Sequence, residues 1–191
     1  MTDQLKIGSL FSGYGGLDLA VMAMTGGRVV WHVENASAPQ KILEQHFPGV
    51  PNYDDVSNVD WSQVEPIDIL TGGFPCQDLS VAGARKGIAE GTRSGLWIEM
   101  HKAITILKPR LVVIENVKGI LSAKANSDLA VGDQRVDQAT DRPVLRAMGA
   151  VSGSLAEIGY DCKWATIRAA DAGAAHGRAR VFILGYPASH R

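Results

Sequence analysis

The chain has 191 residues, 46% of them hydrophobic and 20% charged, with a net charge of −1 and a pI near 6.5. That is enough chain for one soluble domain with a sizeable core, and it excludes a broadly basic nucleic-acid surface while leaving room for a local patch. Two cysteines without a CxxC pair exclude a disulfide framework and a structural zinc site, and neither a signal peptide nor a membrane-length apolar run is seen; the expectation is a cytoplasmic protein with no metal and no membrane partner.

Lys6–Phe11 reads as the first strand, Ser12-Gly13-Tyr14-Gly15-Gly16 as a glycine turn, and Leu17, Val21 and Met24 as one face of the helix that follows. Strand, glycine turn and helix open a nucleotide-binding α/β unit, in which glycines let a ligand approach backbone N–H groups. The pattern is neither GxGxxG nor GxxxxGK[ST], so a plain βα turn stays open as a reading. Arg28–Glu34 is a second strand. Its terminal acid lies roughly 20 residues past the glycine turn, the spacing at which a carboxylate takes a ribose hydroxyl. Ser37-Ala38-Pro39 starts a helix that ends near Phe47-Pro48-Gly49, and Asn52–Asp55 is a short edge strand.

Ile67–Ser80 is the stretch that carries most chemistry. Ile67, Ile69 and Leu70 form an apolar strand that breaks at Gly72-Gly73 and presents Phe74-Pro75-Cys76-Gln77. Open α/β sheets collect chemistry at the carboxyl ends of strands, and Pro75 stiffens the turn that holds Cys76. A buried, inert cysteine is the bland alternative. Leu111–Ile114 is a second apolar strand ending in Glu115-Asn116-Val117, which brings a carboxyl to a neighbouring strand end beside a nucleophile.

Between these strands, residues 81–95 carry four glycines and three cations. They read as a lid whose Arg85, Lys86 and Arg93 reach phosphates, or as a solvated loop. A helix follows, with Leu96, Met100, Ala103 and Leu107 on its core face. Residues 122–142 lack periodicity and read as a connector. Pro143 starts a helix that stops at Gly159, Cys162 is a core cysteine, and Lys163–Ile167 and Val181–Leu184 are the last strands.

Phe-Pro-Cys-Gln-x-x-Ser with a downstream Glu-Asn-Val resembles the DNA cytosine-5 methyltransferases, and the resemblance runs from about Lys6 to Gly185. It implies a Rossmann-like class I methyltransferase fold, a mostly parallel sheet with helices on both faces, in one catalytic domain over residues 1–191. It implies S-adenosylmethionine as cofactor, held by Phe11, Ser12, Gly13, Gly15, Gly16, Leu17, Glu34, Asn35, Asp55, Val56, Pro75 and Leu96. Asp55-Val56 matches the acid and aliphatic pair that meets the adenine amine, with turn capping as the competing reading. Cys76, Glu115, Arg178 and Arg180 become the catalytic set; Gln77, Ser80, Arg85, Arg93 and Asn116 become contacts to DNA.

The implied chemistry is addition of the Cys76 thiolate to carbon 6 of a cytosine flipped out of the duplex, followed by methyl transfer to carbon 5. Two departures stand out. His176 occupies the place of a usual Gln, and the chain shows neither the DNA-reading domain nor the terminal segment that follow the late arginines in the family. The expectation is therefore a catalytic core whose target choice is supplied by a second polypeptide. A truncated relative that binds cofactor or partner without turnover is the alternative, and a Rossmann dehydrogenase is disfavoured because Pro-Cys-Gln and Glu-Asn-Val have no role there.

Overall fold

The structure, a computed structural model, describes residues 4–75, 95–123 and 147–188. The strands are β1 (Lys6–Leu10), β2 (Arg28–Val33), β3 (Asn52–Tyr53), β4 (Ile69–Gly72), β5 (Leu111–Val117), β6 (Tyr160–Arg168) and β7 (Ala179–Pro187). The helices are α1 (Gly16–Thr25), α2 (Ser37–His46), α3 (Gly95–Leu107) and α4 (Ala147–Glu157). Strand order is β3-β2-β1-β4-β5-β7-β6, with β7 antiparallel to both β5 and β6 and the other pairs parallel.

Helices cover both faces, as parallel strands require. Ile7, Val29, Ile69 and Val113 pack with Val21 of α1 and with Leu43 and Phe47 at α2. Leu10, Trp31, Leu70, Ile114 and Ile183 pack with Trp97, Met100 and Ile104 of α3 and Val151 and Leu155 of α4. The burial of α1 departs from the sequence expectation. Leu17 and Val21 pack inward as expected, but Met24 is 85% exposed, and Asp18 joins Val21 on the buried face instead. The reason is polar: Ser9 and Thr71 face α1 and take Asp18 as their partner. The edge strand β6 leaves Trp164 and Ile167 half exposed.

An irregularity in β2 decides which side chains face which layer. Between Ile7 and Gly8 the pairing with β2 shifts, from Ile7↔Val29 to Gly8↔Trp31. One extra residue of this kind inverts the facing of everything after it. Trp31 thereby turns toward the α3 layer and His32 toward α1. The Trp31 ring lies over Gly8, where an added Cβ would come within 2.1 Å of it. That ring is fully buried, and its Nε1–H donates to the Glu65 carbonyl at 2.9 Å, so it has no room to retreat. Gly8→Ala is expected to cost about 3 kcal/mol, read as a lower urea midpoint with unchanged slope.

Candidate active site

The chain runs from β1 through β2 to β3 on one side and from β4 to β5 on the other, so β1 and β4 flank the switch point. In such sheets the crevice at the carboxyl ends of the strands receives ligands. Four sequence motifs converge on that edge: the glycine turn after β1, Glu34 after β2, Gly73-Phe74-Pro75 after β4, and Glu115-Asn116 at the end of β5.

The glycine turn is built against Glu34. Phe11 and Gly13 both take φ +53°, and Gly15 takes +77°. The Gly13 N–H donates to Glu34 Oε2 and the Ala36 N–H to Oε1, each at 2.8 Å. A half-buried carboxylate fixed by two backbone donors still has free lone pairs for hydroxyls. A Cβ placed on Gly13 or Gly16 would meet nothing within 4 Å, so open space lies beside the turn. The opposite holds at Gly15, where a Cβ would sit 2.8 Å from the Phe47 ring; this glycine packs the turn onto α2. An adenosine-type ligand fits the combination of oriented acid and open glycine backbone.

The other expected cofactor residues divide. Ser12 and Leu17 are half-buried within the turn and α1, and Asn35 is exposed beside Glu34. Asp55 caps the 3-10 turn at Val56–Asn58, accepting from the Ser57 N–H at 2.9 Å and its hydroxyl at 2.7 Å; these bonds hold the Asp55 carboxyl below the usual range. Turn capping, the competing reading, therefore occupies one Asp55 oxygen, and Val56 is buried in the core. Pro75 is exposed, whereas Leu96 packs against the core at the start of α3.

On the side of the expected catalytic residues, Arg180 Nε and Glu115 Oε1 form an ion pair at 2.6 Å. The register explains the pair: Val117 faces Arg180 across β5 and β7, and Glu115 lies two residues back on the same face. The second Glu115 oxygen lies 3.3 Å from where a Gly73 Cβ would be, so the strand end leading to Cys76 runs against this carboxylate. Asn116 is buried, with its Nδ2–H₂ donating to the Phe74 carbonyl at 3.0 Å and its Oδ1 accepting from the Val117 N–H at 2.8 Å. Its amide nitrogen thus serves backbone two residues before Cys76 and its oxygen the next residue of β5, a placement suited to aiming the loop more than to touching DNA. Arg178 and His176 are exposed, joined through the Arg178 N–H and His176 Nδ1 at 3.4 Å. Cys76, Gln77, Ser80, Arg85 and Arg93 lie outside the described residues, as do the lid and most of the connector. Cys162 is a half-buried free thiol against the core.

Sequence reading passed over a polar group directly beneath the glycine turn. Register aligns His32 with Ser9 and Ser9 with Thr71, one row across β2, β1 and β4. Asp18 closes it, accepting from Ser9 Oγ at 2.8 Å and bonded to Thr71 Oγ1 at 2.5 Å, and both His32 and Asp18 are 1% exposed. Polar residues inside apolar strands were the available signal, but the bulge that aims His32 inward is not visible in sequence. Burial pushes His32 from 6.5 down to about 4 and pushes Asp18 up. The unfolded chain therefore binds the extra His32 proton between pH 6.5 and 4, and stability falls as pH falls through that window. Asp18 acts in the other sense, its contribution fading as pH rises above 3.8. Chemical denaturation of His32→Leu and wild type at pH 6.5 and pH 4 should show the acid loss smaller in the variant by about 3 kcal/mol.

Fold, switch-point crevice and acid-bearing glycine turn define a Rossmann-like class I methyltransferase, the class to which the structural neighbours belong. The chain belongs to the C-5 cytosine-specific DNA methylase family, whose model matches residues 5–191. It is 27% identical to the type II methyltransferase M.NlaIV of Neisseria lactamica, over 95% of this chain and 41% of that protein. It is 34% identical to M.CviJI of Paramecium bursaria Chlorella virus IL3A, over 92% of this chain and 41% of the relative. Among solved structures, a DNA modification methyltransferase encoded within an E. coli prophage superposes with a TM-score of 0.69 at 25% identity, covering 97% of this chain and 47% of its own. The S. pombe Dnmt2 methyltransferase gives 0.73 at 17% identity, covering 97% and 51%, a likeness of fold. The chain spans about half or less of the length of these relatives. Among the described residues no helix is long and apolar enough to cross a membrane, and no cluster of His, Cys, Asp and Glu is set to hold a metal.

Proposed function

We propose that this chain carries the catalytic centre for methylation of cytosine carbon 5 in DNA. The observation that carries the reading is the placement of Glu115, paired with Arg180 and packed at Gly73 three residues before Cys76. S-adenosylmethionine supplies an electrophilic methyl group when bound. Phe11–Leu17 and Glu34 would hold it, the glycine backbone giving close approach and Glu34 accepting from hydroxyls.

Cytosine carbon 5 is a weak nucleophile, and the residues on the catalytic side answer that weakness. Cys76 thiolate adds to carbon 6, and the displaced electron pair spreads over carbon 5 and nitrogen 3. Glu115, carrying a proton in the reactive complex, donates to nitrogen 3 where that charge develops. Arg180, only partly buried, would leave Glu115 Oε1 for the base carbonyl oxygen. Carbon 5 would then take the methyl, releasing S-adenosylhomocysteine; loss of the carbon 5 proton to solvent would restore the double bond to carbon 6 and expel the Cys76 thiolate. Arg178, exposed just before β7, would meet phosphate.

Target choice we assign to polypeptide outside these 191 residues, a second chain being one form of it. The net charge of −1 supports this, since specific readout needs a cationic, groove-filling surface. The test is transfer of labelled methyl to cytosine-containing DNA, with 5-methylcytosine identified in the digest and its sequence context read by bisulfite. Product without sequence preference is expected from the chain alone. A folded chain that binds cofactor and yields no product would leave it a binding relative, and efficient methylation of one multi-base site would refute external target choice. Glu34→Ala is expected to weaken S-adenosylmethionine binding by about tenfold or more in calorimetry, because a charged acceptor is lost from a half-buried site.

A further inference from the structure

We propose that His32 is a positioning residue for the glycine turn, acting through Ser12 and held in its working tautomer by Asp18. The proposal rests on the reading of Phe11–Leu17 as the cofactor loop.

His32 touches no open surface, yet it stands one hydrogen bond from the turn. Its Nδ1 lies 3.3 Å from Ser12 Oγ, and Ser12 Oγ lies 3.2 Å from the Ser9 carbonyl. A carbonyl only accepts, so the Ser12 hydroxyl donates to Ser9 and accepts from His32. The proton of the neutral ring is therefore on Nδ1. Asp18 Oδ2, 3.8 Å from the same nitrogen, favours that tautomer. His32 Nε2 is then a bare lone pair, and it is the ring atom without a partner. Phe47 meets the ring in an edge-on contact with centroids 4.8 Å apart, which fixes its plane. Phe47 is also the ring that Gly15 packs against.

Ser12 is thus gripped from both sides by sheet residues, His32 of β2 and the Ser9 carbonyl of β1. Its own carbonyl accepts the Gly15 N–H at 2.9 Å. Fixing Ser12 fixes the turn at Gly15, and Gly13 is fixed independently by Glu34. The neutrality of His32 suits this task. A charged ring would be drawn toward Asp18, away from Ser12.

Three variants separate positioning from packing. Asn at position 32 offers an amide nitrogen near the place of Nδ1, Gln offers one near Nε2, and Leu offers neither. S-adenosylmethionine affinity is measured by calorimetry at a temperature where all are folded, with melting temperature recorded alongside. His32→Leu and His32→Gln are expected to bind about tenfold more weakly, and His32→Asn within about threefold of wild type. All three variants lose packing, so melting temperature falls in each, and only affinity follows Nδ1. Affinity unchanged in folded His32→Leu, or equally weak in Leu and Asn, overturns the proposal. Amide exchange of Gly15 in the unliganded chain is the second readout. It should quicken relative to core amides in His32→Leu and not in His32→Asn; equal protection in both overturns the positioning role. Should the wild type bind no cofactor, the loop reading falls, and the exchange measurement alone decides the role of His32.

Discussion

Cys76→Ala is expected to abolish methyl transfer, by more than about 10⁴-fold, while leaving S-adenosylmethionine affinity and melting temperature near wild type. The size of the loss follows from the substrate. Without a bond to carbon 6 the aromatic ring is a weak nucleophile at carbon 5. The measurement is single-turnover transfer with saturating DNA, since a change in DNA affinity would otherwise enter the rate. Cys76→Ser tests the thiolate specifically, because a serine hydroxyl is the same shape and a far poorer nucleophile at neutral pH. Activity within tenfold of wild type in either variant would remove Cys76 from the reaction.

Glu115→Gln is the second large effect, a fall of about 10²–10³ in the single-turnover rate. The amide keeps the shape and can still hydrogen-bond nitrogen 3, but it has no acidic proton to share as charge develops there. Stability should change by less than about 1 kcal/mol, because the Glu115–Arg180 pair is partly solvent-exposed and such pairs contribute little. Cofactor binding should not change, since β4 separates the glycine turn after β1, and β1 and β4 separate Glu34, from Glu115 on β5. A threefold effect or less would mean that nitrogen 3 is served by another donor.

Much of the architecture was legible because apolar runs ended at informative residues. Lys6–Phe11, Arg28–Glu34 and Leu111–Ile114 locate three of the central strands, and the acids and glycines after them mark the carboxyl edge. Boundaries moved where hydrogen bonding overrode composition. Ile67 was expected in the fourth strand, which instead begins at Ile69 and runs through the glycine at 72, tolerated because Met100 fills the space its side chain would take. On α1, apolar spacing selects Leu17 and Val21 correctly but also Met24, whereas the sheet presents Ser9 and Thr71 and demands Asp18. Asn116 reads from sequence as a neighbour of the base, but its amide is spent on the Phe74 and Val117 backbone. None of these is hidden information about residue type. The α1 case depends on which side of a strand a residue faces, and in β2 one bulge at Val29–Trp31 is enough to reverse that.

Cys76 is expected to bond to carbon 6 of a target cytosine during methyl transfer. Duplex DNA carrying 5-fluorocytosine tests it most directly, because fluorine at carbon 5 cannot leave as a proton does and the adduct cannot collapse. With S-adenosylmethionine present, denaturing electrophoresis should reveal a protein–DNA species, and peptide mapping should place the modified base on the peptide that contains Cys76. An adduct on Cys162 or elsewhere, or full methylation activity with Cys76 recovered unmodified from the trapped reaction, would contradict the account.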